Sequence, residues 1–218
     1  MSTIRNPHNL TTLSGSFLFI ILALFSLCCE NSSKEVKEAK DIADWEGNLD
    51  YFRLEGDAIV AGNLTKEIPN NEFLCTERTY QDFEITLKAK LIGQGKNAGI
   101  QFWSERIPDH HEVIGFQCDI GSMDSRPIWG SLYDESRRRS FLAHGEADSV
   151  RQVLHPNDWN DFTIRGEGNR IQIWLNGYQT VDYIELDTTI VNEGLICLQI
   201  HSGPPAEAWY KDVRIREL

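Results

Sequence analysis

Alternation of apolar and polar residues runs along most of this chain. In residues 82–91, Phe83, Ile85, Leu87, Ala89 and Leu91 interleave with Glu84, Thr86, Lys88 and Lys90, the period-2 mark of a strand with one buried and one solvated face. The stretch 97–103 puts Ile100 and Phe102 on one side and Gln101 and Trp103 on the other. Residues 112–121 set Ile114, Phe116, Cys118 and Ile120 against Val113, Gly115, Gln117 and Asp119. A Gly-rich turn at 166–169 and the Asn176-Gly177 pair predict hairpins. Residues 194–203 oppose Ile196, Leu198 and Ile200 to Leu195, Cys197, Gln199 and His201, and another alternating strand closes the chain at 209–218. Many short strands with frequent turns predict an all-β antiparallel sandwich or barrel. The stretch 121–156 has little strand alternation and reads as loops with one short helix. Long ordered loops over a sheet commonly shape a binding site.

The first 29 residues depart from this pattern. One Arg, no acidic residue and an apolar run from Phe17 to Leu27 describe an export signal too short to span a bilayer. It ends in Cys28-Cys29, the placement of a bacterial lipoprotein signal, with Cys29 as the lipid-attachment residue. Residues 30–44 are polar and of mixed charge, a tether with a short helical segment at 34–43, and the domain occupies 45–218. The expected location is outside the cytoplasm, periplasmic or membrane-anchored as a lipoprotein.

Charge narrows the partners. The formal net charge is -12 and there is no basic block, which argues against nucleic acid, an anionic membrane surface and polyanionic substrates. A neutral ligand such as a sugar remains. Cys75, Cys118 and Cys197 are odd in number without C-x-x-C spacing, so at least one is free and no disulfide framework or usual zinc site is implied. Cys118 and Cys197 read as small buried hydrophobes.

Three strands repeat one feature. Gln101 with Trp103, Gln117 with Asp119, and Gln199 with His201 each occupy alternate positions of one face. Amides and imidazole exchange hydrogen bonds with hydroxyls while indole offers a flat apolar surface, a combination suited to a sugar. Taken in order, "FLCTERTYQDFEITLKAKL", "NAGIQFW", "GFQCDIG", "GSLYDE", "DWNDFTIRGEGNRIQIWLNG", "GLICLQIHSG" and "YKDVRIREL" resemble the 3-keto-disaccharide hydrolase family over roughly residues 45–218. Where that family often carries Arg after its N-S-G-I-x-F motif, this chain has Trp103. The resemblance implies a concanavalin-like jelly roll with long loops over one concave sheet face, acting on an oxidised sugar, a glycoside already carrying a ketone at C3.

Such a substrate dictates its own chemistry. The ketone acidifies the hydrogen at C2, so a base can remove it and the enolate can expel the aglycone from C1. Adding water to the resulting glycal makes the net reaction a hydrolysis. The reaction needs a base poised near neutrality, an enolate stabiliser and an acid, and not the paired carboxylates of ordinary glycosidases. His201 is the candidate base or acid. Glu77 and Asp119 are candidate bases, partners of His201, or ligands to a divalent cation. Gln101, Trp103, Gln117, Tyr133, Arg138, Gln199 and Lys211 are candidate substrate contacts, with Arg137 and Arg139 as lesser options and His111 or Glu112 as a lesser metal option. Trp159, Asn160, Asn176 and Gly177 match the resemblance as scaffold, a core Trp and a turn. A non-catalytic carbohydrate-binding, lectin-like module is the alternative on the same fold. A glucanase of a related jelly roll would show E-x-D-x-x-E, which is absent.

Overall fold

The computed structural model describes residues 36–38, 45–95 and 97–218. The expected signal, Cys29 and most of the tether lie outside the described residues. The strands are, in chain order, β1 (Val36–Glu38), β2 (Trp45–Glu46), β3 (Phe52–Glu55), β4 (Ala58–Asn63), β5 (Glu72–Thr76), β6 (Phe83–Gly93), β7 (Asn97–Arg106), β8 (Val113–Met123), β9 (Arg126–Pro127), β10 (Leu132–Glu135), β11 (Ser140–Ala143), β12 (Asn160–Glu167), β13 (Arg170–Leu175), β14 (Tyr178–Ile184), β15 (Leu195–Ile200) and β16 (Ala206–Glu217). A short helix, α1 (Ala147–Val153), precedes β12, its first N–H groups capped by the Glu146 carboxylate.

The strands form two eight-stranded sheets. One runs β14-β13-β12-β6-β16-β4-β3, with β1 also on β16; the other runs β11-β10-β8-β7-β15-β5-β2, with β9 on β8. Every pairing is antiparallel, as the alternating patterns require. The first sheet gives Phe83, Ile85, Leu87 and Ala89 to the space between the layers; the second gives Ile100, Phe116, Ile120, Ile196, Leu198 and Ile200, all buried. Each such side chain stabilises the sandwich by about 1.5–3 kcal/mol relative to leaving it exposed. Cys118 is buried in this core with a free thiol.

Three expectations change. Inside the segment 34–43 expected to be helical, Val36–Glu38 is a strand paired with β16. The stretch 121–156 supplies three strands as well as its helix, and β10 and β11 extend the second sheet. Cys197 is not a plain hydrophobe: it lies directly opposite Cys75 and the two form a disulfide across a sequence separation of 122. Register between strands so distant along the chain is invisible to local spacing.

Candidate functional site

The site begins with one extra residue in β7. Phe102 pairs with Phe116 and Glu105 with Ile114, so Trp103 and Ser104 together oppose Gly115, a β-bulge. Trp103 adopts φ 46°, conformationally costly for a bulky residue. The glycines opposite make it feasible: a Cβ on Gly115 would fall 2.3 Å from Ser104 Oγ, and one on Gly194 2.4 Å from the Ser104 nitrogen. The bulge turns the Trp103 ring inward, only 3% exposed, against Phe83, Phe102 and Phe116, with Nε1 donating to the Gln81 carbonyl at 2.6 Å. The expected sugar-stacking platform is therefore a core residue.

Beyond the bulge the hairpin end is anchored to β5 and to the segment before it. Arg106 donates to the Phe73 carbonyl at 3.0 Å, Val113 packs with Phe73 and the Cys75–Cys197 disulfide, and Glu112 accepts from Asn71 Nδ2 at 2.9 Å. Together with β10 and the following turn, this segment walls a cavity of about 500 Å³ on the outer face of the second sheet. Asp119, Tyr133, Glu135, Glu112, Arg139 and His201 line it, with Gln117, Asn71, Asn97 and His110.

The amides predicted on that face are there, at different depths. Gln101, Gln117 and Asp119 are at most 2% exposed. Ser104 Oγ donates to Gln101 Oε1 at 3.2 Å, Gln101 Nε2 to Gln117 Oε1 at 2.6 Å, and Gln117 Nε2 to Asp119 Oδ1. Gly99, between Asp119 and Gln199 in the register, leaves the room that the Gln117 side chain fills. Gln199 is fully buried and its amide has no hydrogen-bond partner among the described residues.

His201 follows β15. Its Nδ1 lies 2.7 Å from the Ser202 carbonyl oxygen, which can only accept; Nδ1 therefore carries a proton, and in the neutral imidazole the lone pair falls on Nε2. Burial pushes the Asp119 carboxyl up to about 8, the Gln117 N–H opposing and the Glu135 charge adding to the rise. Burial and then the Glu112 charge raise Glu135, against lowering by the Ser136 N–H, His201 and Arg139. The Tyr133 phenol is raised by burial, then by Glu135 and Asp119. Burial thus holds a proton on Asp119 near neutral pH, with the Glu135 charge a smaller contribution in the same direction.

Other predicted residues lie elsewhere. Glu77 is exposed just past the end of β5, three strands from Asp119 and roughly 20 Å away at ordinary strand spacings; the two cannot share a cation. Among the described residues no three His, Cys, Asp or Glu side chains form a metal-binding group. Arg138 is tied to Asp134, Glu185 and Tyr183, and Arg137 to Asp134. Arg139, at φ 54° in the β10–β11 turn, faces the cavity instead. Lys211 is on the first sheet, its Nζ 4.4 Å from the Trp159 ring centroid. Trp159 is half-buried beneath Lys90 and Lys211 rather than in the core, whereas Asn160 and Asn176 are the expected scaffold, bonded to each other and to backbone. Glu135 went unread although it shares the face of Tyr133 two residues earlier.

An antiparallel sandwich of two eight-stranded sheets with a polar hollow on one outer face defines a lectin-like jelly roll. The model of the 3-keto-alpha-glucoside-1,2-lyase-like domain matches residues 33–216, and the chain belongs to that family. Among solved structures it resembles a proposed glycosyl hydrolase from Parabacteroides distasonis ATCC 8503, with 18% identity, 82% of this chain and 91% of that chain covered, and a TM-score of 0.61. It also resembles the carbohydrate-binding module CBM66 from Bacillus subtilis, at 13% identity, 80% and 96% coverage and TM-score 0.59. A Bacillus subtilis protein of galectin-like fold matches at 14% identity, 84% and 94% coverage and TM-score 0.62. At these identities the likeness is one of fold. No curated protein matches the chain.

Proposed function

We propose that this protein cleaves the glycosidic bond of 3-keto-glycosides by elimination at the cavity, followed by hydration. The observation that carries the reading is the convergence of a histidine, a buried carboxyl that holds a proton near neutral pH and a guanidinium on one hollow of about 500 Å³. That volume is within the usual range for a small-molecule site. Family membership and the sugar-binding or glycoside-cleaving descriptions of the fold's relatives support a carbohydrate substrate.

His201 Nε2 takes the C2 proton, and the electron pair moves to form the C2=C3 enolate. Arg139 supplies positive charge to the enolate oxygen. As the pair returns from oxygen and the C1–O bond breaks, the Asp119 carboxyl gives its proton to the aglycone oxygen. Water then adds at C1, giving one proton back to the Asp119 carboxylate while C2 recovers a proton from His201. Both groups end as they began, and the free 3-keto sugar leaves.

The Cys75–Cys197 disulfide supports the further reading that the protein works outside the cytoplasm, where disulfides persist; lipid attachment at Cys29 would be tested by labelling with a fatty-acid analogue. The reaction is tested by NMR of the purified protein with a 3-keto-glucoside in D2O, beside the parent glucoside and the His201→Ala variant. Aglycone release from the keto substrate alone, with deuterium at C2 and both lost in the variant, is expected. Binding of either sugar without turnover would overturn the enzyme and leave a binding module.

A further inference from the structure

The hydrogen-bonded row beneath the cavity has a direction. Ser104 Oγ is shared between the Phe102 carbonyl at 3.1 Å and Gln101 Oε1 at 3.2 Å, Gln101 Nε2 donates to Gln117 Oε1, and Gln117 Nε2 to Asp119 Oδ1. All four side chains are at most 2% exposed, so water cannot readily substitute for a lost partner. An amide whose oxygen is engaged on one side has only N–H to offer on the other. Turning Gln117 over by itself would set its NH2 against that of Gln101.

We propose that this row is a relay that ties down Asp119 Oδ1 and leaves Oδ2 to carry the proton toward the cavity, and that Gln101 and Ser104, neither of which reaches the cavity, are positioning residues for that acid. The proposal rests on Asp119 as the proton donor proposed above. A protonated carboxyl can hold its hydrogen on either oxygen, and only one of the two serves a substrate. An N–H aimed at Oδ1 excludes a hydrogen there, since two donors would meet. Were Gln117 reversed, Asp119 would donate inward to an amide oxygen and its proton would be lost to the reaction. The same locked Gln117 N–H also favours the ionised carboxylate, so the relay acts against burial on the same group.

The sequence offered Gln101 as a sugar contact; the geometry gives it an indirect role. Gln101→Met keeps side-chain length and removes the amide. It frees Gln117 to turn over, converting a donor to Asp119 into an acceptor. The readout is the titration of the Asp119 carboxyl in protein labelled with 13C-aspartate, without substrate. Its midpoint, about 8 in the native chain, is expected to rise by about one pH unit. Glu135 and Tyr133 from β10, Glu112 and His110 from the β7–β8 turn, Arg139, His201 and the neighbouring Cys118 surround Asp119 and are unchanged by the substitution. With a 3-keto-glucoside, kcat is expected to fall about tenfold while KM stays within about twofold. If Gln101→Met does not fold, Gln101→Asn, one methylene too short to span the same gap, takes its place with the same expectations. An unmoved Asp119 midpoint in either folded variant overturns the relay. Absence of turnover by the native protein overturns the lyase reading instead and leaves the midpoint to decide the relay.

Discussion

The Tyr210 hydroxyl, on the first sheet, lies 2.5 Å from the Gln199 carbonyl on the second. The same hydroxyl also reaches the Gly99 carbonyl at 3.1 Å, so a single group joins the two layers below the row that carries Gln117 and Asp119. Burial pushes the phenol far above its ordinary range, and it stays protonated throughout the working pH. Tyr210→Phe should lower stability by about 1 kcal/mol in urea unfolding and leave kcat within about twofold. A large loss of activity with little loss of stability would place Tyr210 in the chemistry instead.

Stability should fall as the solution becomes more alkaline. The Asp119 carboxyl is raised from 3.8 to about 8 in the folded chain, so between these values the native state holds a proton that the unfolded state has released. By linkage, this group's contribution declines as pH rises from about 4 to about 8. Asp119→Asn, always neutral, should therefore be more stable than the native chain at pH 8, by about 2 kcal/mol or more, and the difference should shrink toward pH 4. Parallel unfolding midpoints across this range would contradict the assigned burial of charge.

Two glutamates discriminate the two versions of the site. Glu135 borders the cavity and Glu77 is exposed elsewhere. Glu135→Gln should reduce kcat on a 3-keto-glucoside by about 100-fold, whereas Glu77→Gln should leave it unchanged. Steady-state kinetics on the pair suffice, and the reverse order would restore the reading taken from sequence.

The disulfide closes a loop across a separation of 122 residues. Removing it by the paired substitutions Cys75→Ala and Cys197→Ala should cost about 5 kcal/mol on a loop-entropy model, seen as a lower Tm. Reductant should lower the Tm of the native chain and not that of the variant.

Gln199 makes the opposite prediction for stability. Its amide is fully buried without a hydrogen-bond partner among the described residues, which is costly. Gln199→Leu should hold or raise stability, by up to about 1 kcal/mol. Gln199, expected from its motif to contact the sugar, is fully buried and does not line the cavity, so the same variant should leave KM for the keto substrate within about twofold.

The sheets were legible because a strand with one solvated face alternates in burial with a period of two, and β6, β12 and β13 carry it cleanly. The errors have physical sources. Trp103 was assigned the wrong face because a bulge shifts the phase by one residue, and the glycines that allow it, Gly115 and Gly194, lie on other strands. Arg138 was chosen over Arg139 because a turn, unlike a strand, does not alternate. Glu77 came from a motif that names a residue without giving its distance from Asp119. His201, Asp119, Gln117 and Tyr133 line one cavity as their strand patterns and motifs placed them, because each pattern fixes a side of the sheet.

The bulge also sets how rigid the site can be. The residue that bends β7 is itself wedged among Phe83, Phe102 and Phe116, so this cavity wall cannot swing outward without drawing an indole from the interior. The hollow is therefore held open by the same packing that holds the two sheets together, and a change that loosens the interior at Trp103 will be felt first as a change in its shape.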